Sequence, residues 1–291
     1  MKKLSIICPV RQASKTLPRL LKSYEEQTFF SDCVAYFVLS PSNDDSESIL
    51  VSFCSAFPGN AKLVKLSEPQ FPSLSRKKGI EASGEPYIAF MDADDALSPI
   101  FAETIIHTLD KGYDAVDFSF YINTREKTRK YMLRGKEKGL NKYEALRLLM
   151  GDSSMRGFLW SKAFKRELVN SETIFLDQPL FEDLPIAFIA FAQANKIAYL
   201  NDCLYTYFKH DGSAMRGNNR DRPRQHLASF AAVVEYASHS DDSKFLSIVK
   251  KAYFRMKLSL RFDIYLAKRD GMNKEEKIAI YHELKKLKRL E

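Results

Sequence analysis

A chain of 291 residues that is 45% apolar can bury a full core, as one large domain or as one domain with an extension, which argues against disorder. Its net charge of +8 asks for an anionic partner, and charge alone does not choose among a nucleotide, an acidic membrane surface and nucleic acid. Cys8, Cys33, Cys54 and Cys203 lack CxxC spacing and sit in apolar surroundings, which speaks against a zinc site and for buried thiols in a reducing compartment.

The opening MKKLSIICPV has the basic start of a secretion signal, but Pro9, Arg11 and Lys15 cut its apolar run short. Residues 4–8 therefore read as a first strand, ended by Pro9. Leu17, Leu20, Leu21 and Tyr24 recur at helical spacing up to Gln27. Residues 34–39 read as the second strand, 49–57 as a helix and 61–66 as the third strand. A helical pattern then runs from about Ser75 to Gly84 and passes into the strand 87–91, which ends in Asp92-Ala93-Asp94-Asp95. Ser98 before Pro99 predicts a capped helix start, with the helix reaching about Leu109. Residues 115–121 and 130–133 read as strands, and Asn141 with Glu144 as the capping box of a helix ending near Met150. Residues 157–168 hold the single tryptophan, Trp160. Glu182 and Asp183 introduce an apolar helix that ends near Asn195, and residues 197–200 and 204–208 read as two short strands. No stretch approaches the roughly twenty apolar residues of a bilayer span, so membrane contact is expected to be peripheral. From about Arg222 the pattern is helical and after Lys250 basic, and in the last helix Ile280, Leu284 and Leu287 share one face.

Four constellations carry chemistry. In an extended segment Asp92 and Asp94 project to the same side, so two carboxylates could share a divalent cation. Acids that only solvate a loop or cap a helix explain less well why three of them, Asp92, Asp94 and Asp95, end a buried strand. Arg76 could fork onto phosphate oxygens, while Lys77 and Lys78 fit a solvated helix face equally well. Asp183, beside Glu182, could serve as a base for a hydroxyl acceptor or as the N-cap of the following helix. His210, in the pattern Tyr205-x-Tyr207-x-x-His210-x-x-Ser213, could ligate a metal, meet a phosphate or simply be solvated.

Together, and in this order, these stretches resemble glycosyltransferase family 2, the inverting nucleotide-sugar transferases of the GT-A fold, over about residues 4–216. The resemblance is carried by SIICPV, Gln27-Thr28, Ser75-Arg76 with Gly79, AFMDADD, Trp160 and Lys162 in LWSKAFKREL, FEDLP and YTYFKHDGS. It implies an α/β fold with a mixed sheet flanked by helices, divided into a GT-A domain over residues 1–216 and a basic helical extension over 217–291. It further implies a DxD at Asp92 and Asp94 that holds Mn2+ or Mg2+ with the donor diphosphate, and His210 as a further metal ligand. Pro9, Arg11, Ser40, Arg76, Asp92 and Ala93 would line the nucleotide. Asp183 would be the general base of an acidic pair with Glu182.

One departure stands out. Family members commonly carry two aspartates after the second strand, the first of which binds the nucleobase, whereas this chain reads Val38-Leu39-Ser40-Pro41-Ser42. Asp44 or Asp45 would have to substitute, or base recognition is altered. Processive members carry membrane helices and a QxxRW motif, both absent from this sequence, so single additions are expected. The expected partners are a nucleotide-sugar donor, probed first with UDP, a glycan or lipid-linked acceptor, an anionic membrane met through the C-terminal helices, and a second copy in a homodimer. Nucleic acid is not expected, and the location is cytoplasmic, at the inner face of the cell membrane. Two rivals are an aspartyl phosphotransferase, which usually carries its DxD after the first strand, and a non-catalytic anion- or nucleic-acid-binding protein that has lost its donor.

Overall fold

The structure, a computed structural model, describes residues 2–124, 126–131, 138–151, 155–169, 173–209 and 220–287. Its first half alternates strand and helix: β1 (Leu4–Val10), α1 (Leu17–Glu25), β2 (Cys33–Leu39), α2 (Ser46–Ala56), β3 (Ala61–Lys65), α3 (Pro72–Ala82), β4 (Tyr87–Phe90), β5 (Ala96–Leu97) and α4 (Phe101–Asp110). The middle holds β6 (Ala115–Asn123), β7 (Thr128–Tyr131), β8 (Lys138–Leu140), α5 (Lys142–Gly151), β9 (Lys162–Lys165), α6 (Asp183–Gln193) and β10 (Ile197–Phe208). Three helices close the chain: α7 (Arg222–Ser238), α8 (Ser243–Arg269) and α9 (Lys274–Lys286).

Among the described residues one mixed sheet runs in the order β3-β2-β1-β4-β9-β6-β10-β5. The first four strands are parallel, β9 lies antiparallel to both β4 and β6, and β10 runs parallel to β6. Alternation along the strands splits the core in two. Ile7, Tyr36, Val38, Ile88 and Phe90 lie on the side of α3 and belong to one core with α5 to α9, while Ile6, Cys8, Phe37, Ala89 and Met91 belong to the other, on the side of α1, α2 and α4. Helix α6 is apolar all round, with Pro185 to Phe191 buried, because it lies between the sheet and the C-terminal helices.

Four expectations are corrected here. β1 continues through Pro9 to Val10: the Val10 carbonyl accepts the Ser40 amide on the β2 side, and Pro9 turns toward β4, whose ladder ends opposite Ile7, so its missing N–H goes unneeded. Ser98 does not cap α4. Its amide donates to the Leu204 carbonyl (2.9 Å), extending the β5–β10 pairing, and the helix starts only at Phe101. α3 starts earlier than expected, with Pro72 in its first turn. The two short strands at 197–208 are one strand, β10, with irregularities between Leu200 and Tyr205. The capping box at Asn141 and Glu144 is present, and of the expected strand 130–133 residues 130 and 131 belong to β7 while 132 and 133 lie outside the described residues.

The helices α7 to α9 share a core with α5 and α6, through residues such as Phe188, Phe230, Phe245 and Ile280. α9 opens on a capping box between Asn273 and Glu276, and its Ile280 and Leu284 are buried as the periodicity predicts. The boundary expected between residues 216 and 217 lies outside the described residues.

α3 packs close to the sheet at one point. A Cβ on Gly79 would stand 2.4 Å from Ile7 Cγ2 and 3.0 Å from Val38 Cγ2, both stiff β-branched side chains in the central strands. Gly79→Val should therefore overpack the helix–sheet contact and cost about 2 kcal/mol or more, read as a lower urea midpoint with an unchanged m-value.

Candidate active site

The parallel strands β1, β2 and β4 all end on one edge of the sheet, where an open α/β fold places its crevice. β4 delivers the acidic loop there. The Met91 amide still bonds to the Ile7 carbonyl (3.0 Å), the Asp92 amide donates to the Tyr205 hydroxyl (2.9 Å), and the Asp95 amide turns back to the Asp92 carbonyl (3.2 Å). Asp95 is fully buried and accepts from the Tyr205 hydroxyl and the Phe208 amide, both at 2.8 Å. Burial, reinforced by Asp94 and Asp92, pushes its carboxyl well above the usual range. This acid anchors the loop to β10. Arg19 lies 3.7 Å over the Phe208 ring and donates to the Asp94 carbonyl, bracing the loop from α1.

Arg76, on α3, joins this loop to the start of α6. Its side chain is 3% exposed, with Nη2 donating to Asp92 Oδ1 (2.8 Å) and Nη1 to Asp183 Oδ1 (2.7 Å) and Glu182 Oε1 (3.2 Å). One cation thus faces three acids. Burial alone would lower the guanidinium, but Asp183, Asp92 and Glu182 raise it further. Asp92 keeps about a third of its side chain open, yet desolvation lifts it to about 6 against the pull of Arg76, with Asp94 and Asp183 adding to the rise. Glu182 is pushed to about 8 by burial first and Asp183 second.

A buried ion pair on one side and a three-residue cluster around Asp263 on the other support the acidic pair. Asp183 is the first residue of α6, and its second oxygen accepts the Leu159 amide (3.1 Å), so of the two roles open to it the N-cap gives way to contacts with Arg76 and with the turn at 159–161. That turn is tied down by Lys162, whose ammonium donates to the Arg156 and Phe158 carbonyls and pairs with Asp117 at 2.8 Å. Both charges are sealed from water, and burial raises Asp117 to about 6 against the opposing lysine. Trp160 stacks between Phe158 and Tyr205, 4.8 Å from each. On the other side Phe181, at φ 62°, lies parallel to the His226 ring at 4.2 Å. His226 Nδ1 and Arg222 Nε each stand 2.6 Å from a different oxygen of Asp263.

The remaining expected residues fall around the same edge. Pro9 lies near the end of β1 and exposed Arg11 follows its last residue, Val10, while Ala93 is buried between the two acids. Ser40 is buried, with its hydroxyl 3.5 Å from the Gln70 amide. Asp44 is spent locally: its oxygens accept the Ser14 and Ser46 amides, and its hydrogen bonds, that of Ser46 foremost, hold its carboxyl well below the usual range. Asp45 is exposed at the start of α2. His210 lies outside the described residues.

Among the described residues no cluster of three His, Cys, Asp or Glu side chains could hold a metal alone. Asp92 and Asp94 instead offer two carboxylates, that of Asp92 bonded to Arg76. That donor set fits a hard cation completed by phosphate oxygens, not a resident ion in an all-protein cage.

Residues 5–169 match the glycosyl transferase family 2 domain. The cholesterol galactosyltransferase of Borreliella burgdorferi is 28% identical over 225 residues, 72% of this chain and 61% of that protein, so the chain spans under two thirds of its relative. Among solved structures, TarS 1–349 of S. aureus in complex with UDP-GlcNAc superposes with a TM-score of 0.77 at 17% identity, covering 98% of this chain and 80% of that one. The mannosyltransferase PcManGT of Pyrobaculum calidifontis in complex with GDP-Man and Mn2+ gives 0.60 at 14% identity, covering 99% and 83%. The chain belongs to glycosyl transferase family 2, and its mixed sheet with flanking helices has the GT-A-like architecture.

The raised Glu182 carboxyl has a measurable consequence. Between its unfolded value of 4.5 and its folded value of about 8, the folded protein keeps a proton that the unfolded chain has lost, so stability falls as pH rises through that window. Glu182→Gln should flatten this fall, and thermal unfolding of both proteins from about pH 5 to about pH 8 checks it. Parallel profiles would mean that Glu182 titrates alike in both states.

Proposed function

We propose that this family member is an inverting glycosyltransferase that moves a sugar from a nucleotide-diphosphate donor, a UDP-sugar first among the candidates, to a hydroxyl of a glycan or lipid-linked acceptor in cell-surface polysaccharide synthesis. The observation that carries this reading is the Arg76 fork, which brings Asp92 of the strand-end loop and Asp183 of the helix start onto one guanidinium. Diphosphate site and base are thereby held in a fixed relation.

Asp183 accepts the proton of the attacking hydroxyl while Arg76 and the Leu159 amide orient its carboxylate. Glu182 lies beside it on the same guanidinium, its carboxyl raised by burial and by Asp183. Asp92 and Asp94 would hold Mn2+ or Mg2+, with His210 as a further ligand, and the cation supplies charge neutralisation at the departing diphosphate. Arg76, Pro9, Arg11, Ser40 and Ala93 would contact the nucleotide. With Asp44 engaged in its own loop, Asp45, exposed at the start of α2, is the acid left to substitute for the missing aspartates.

A lipid-linked acceptor is supported by the name of the Borreliella burgdorferi relative, and a UDP-sugar by the ligand of TarS. We place the transferase unit in residues 1–216, the extension in 217–291, and the protein in the cytoplasm at the inner face of the cell membrane, alone or as a homodimer. No helix among the described residues is long and apolar enough to cross a membrane.

A thermal-shift panel of nucleotide diphosphates and their sugars, with and without Mn2+, tests the donor site. UDP should stabilise the protein in a metal-dependent way, and Asp94→Ala should abolish the effect. Asp183→Asn should lower turnover about a hundredfold or more while keeping the UDP shift, since asparagine can still accept from Arg76. Full turnover in that variant removes Asp183 as the base, and the absence of any nucleotide shift favours a binding protein that has lost its donor.

A further inference from the structure

α8 carries two apolar faces. Residues such as Val249, Met256 and Leu260 pack into the shared core. On the opposite side Phe254, Leu258, Phe262 and Tyr265 recur every three or four residues and form one row along the helix, 65%, 49%, 59% and 59% exposed. Rows of bare aromatic side chains are rare on proteins that meet only water, and mark sites of interaction.

The charges around the row identify what covers it. At helical spacing Lys250, Lys257 and Arg261 fall along one edge and Lys251, Arg255 and Arg269 along the other, all exposed. Between Ser243 and Arg269 the single acid is Asp263, which turns inward and is 2% exposed. Beside Phe254, a groove between α5 and α8 is lined by Arg147, Lys244, Lys251 and Arg255, a cationic seat for an anionic oxygen group.

We infer that α8 is a membrane-surface helix: its aromatic row enters the boundary between headgroups and acyl chains of an anionic bilayer, the flanking cations meet lipid phosphates, and the α5–α8 groove receives one of them. The stems of the lysines and arginines lie along the row while their charges reach the headgroups. A second copy covering the row about a two-fold axis would bring cationic edges against each other, whereas an anionic surface satisfies both edges at once. The inference gives the peripheral location proposed above a definite surface, and it depends neither on the donor nor on the transfer reaction.

Co-sedimentation with vesicles tests it, using phosphatidylcholine alone and phosphatidylcholine with about one third phosphatidylglycerol. The full chain should sediment with the anionic vesicles and not with the neutral ones, more weakly as salt is raised. A Phe254→Ser/Phe262→Ser double variant, which removes only exposed apolar surface and should keep its melting temperature, is expected to bind at least about tenfold more weakly. Failure to bind anionic vesicles, or equal binding by the double variant, overturns the proposal. So does a dimer, seen by sedimentation velocity, that the double variant splits with no change in vesicle binding, because the row would then be a self-association surface. A protein that binds vesicles normally yet gives no nucleotide shift would fail the transferase reading alone.

Discussion

The site depends on one buried guanidinium. Arg76 is almost closed to water and stands among three carboxylates, an arrangement in which desolvation opposes every charge and only a close fork compensates. Lysine, a point charge on a flexible stem, would not bridge Asp92 and Asp183 in a fixed plane. The reach of Arg76 follows from the packing of its helix. Gly79 lies three residues on, along the same inward stripe, and its missing side chain lets α3 settle onto Ile7 and Val38. A backbone contact in the core thus sets the depth at which a charged group meets the cleft.

Around that centre the chain uses ion pairs as supports. Lys162 with Asp117 fixes the turn whose amide binds Asp183, and His226 and Arg222 with Asp263 brace Phe181 just before Glu182. Such pairs add little net stability compared with apolar replacements, but removing one partner leaves a buried charge and costs about 3–5 kcal/mol. Their value here is positional. Asp263 also sits on the inner side of the helix whose outer side bears the aromatic row, so the helix that would meet a bilayer and the loop that bears the acidic pair belong to one packed body.

Much of this was legible from the residues in order, and the parts that were not share a cause. The strand ending in Asp92, the capping box at Asn141 and the buried stripe of α9 are local patterns, set by period and by neighbouring side chains. Ser98 had the local signature of a cap and was overruled by a hydrogen bond to Leu204, more than a hundred residues away in the chain. The bond from Arg76 to Asp183 likewise spans 107 positions, and nothing in the spacing announces it. His226 and Asp263 sit in ordinary helical sequence, and only the packing of α7 on α8 joins them. The outer row of α8 was within reach of periodicity, but a helix apolar on two opposite faces reads as uniformly mixed, and its basic charge was the feature that stood out.

Trp160 is the chain's single tryptophan, and it is stacked on Tyr205, whose hydroxyl holds the amide of Asp92. Every photon of indole emission therefore originates one ring away from the acidic loop, from a site 5% exposed to quenchers in the solvent. The protein carries its own optical reporter, placed by the fold beside the acidic loop, and needs no label to be followed in real time.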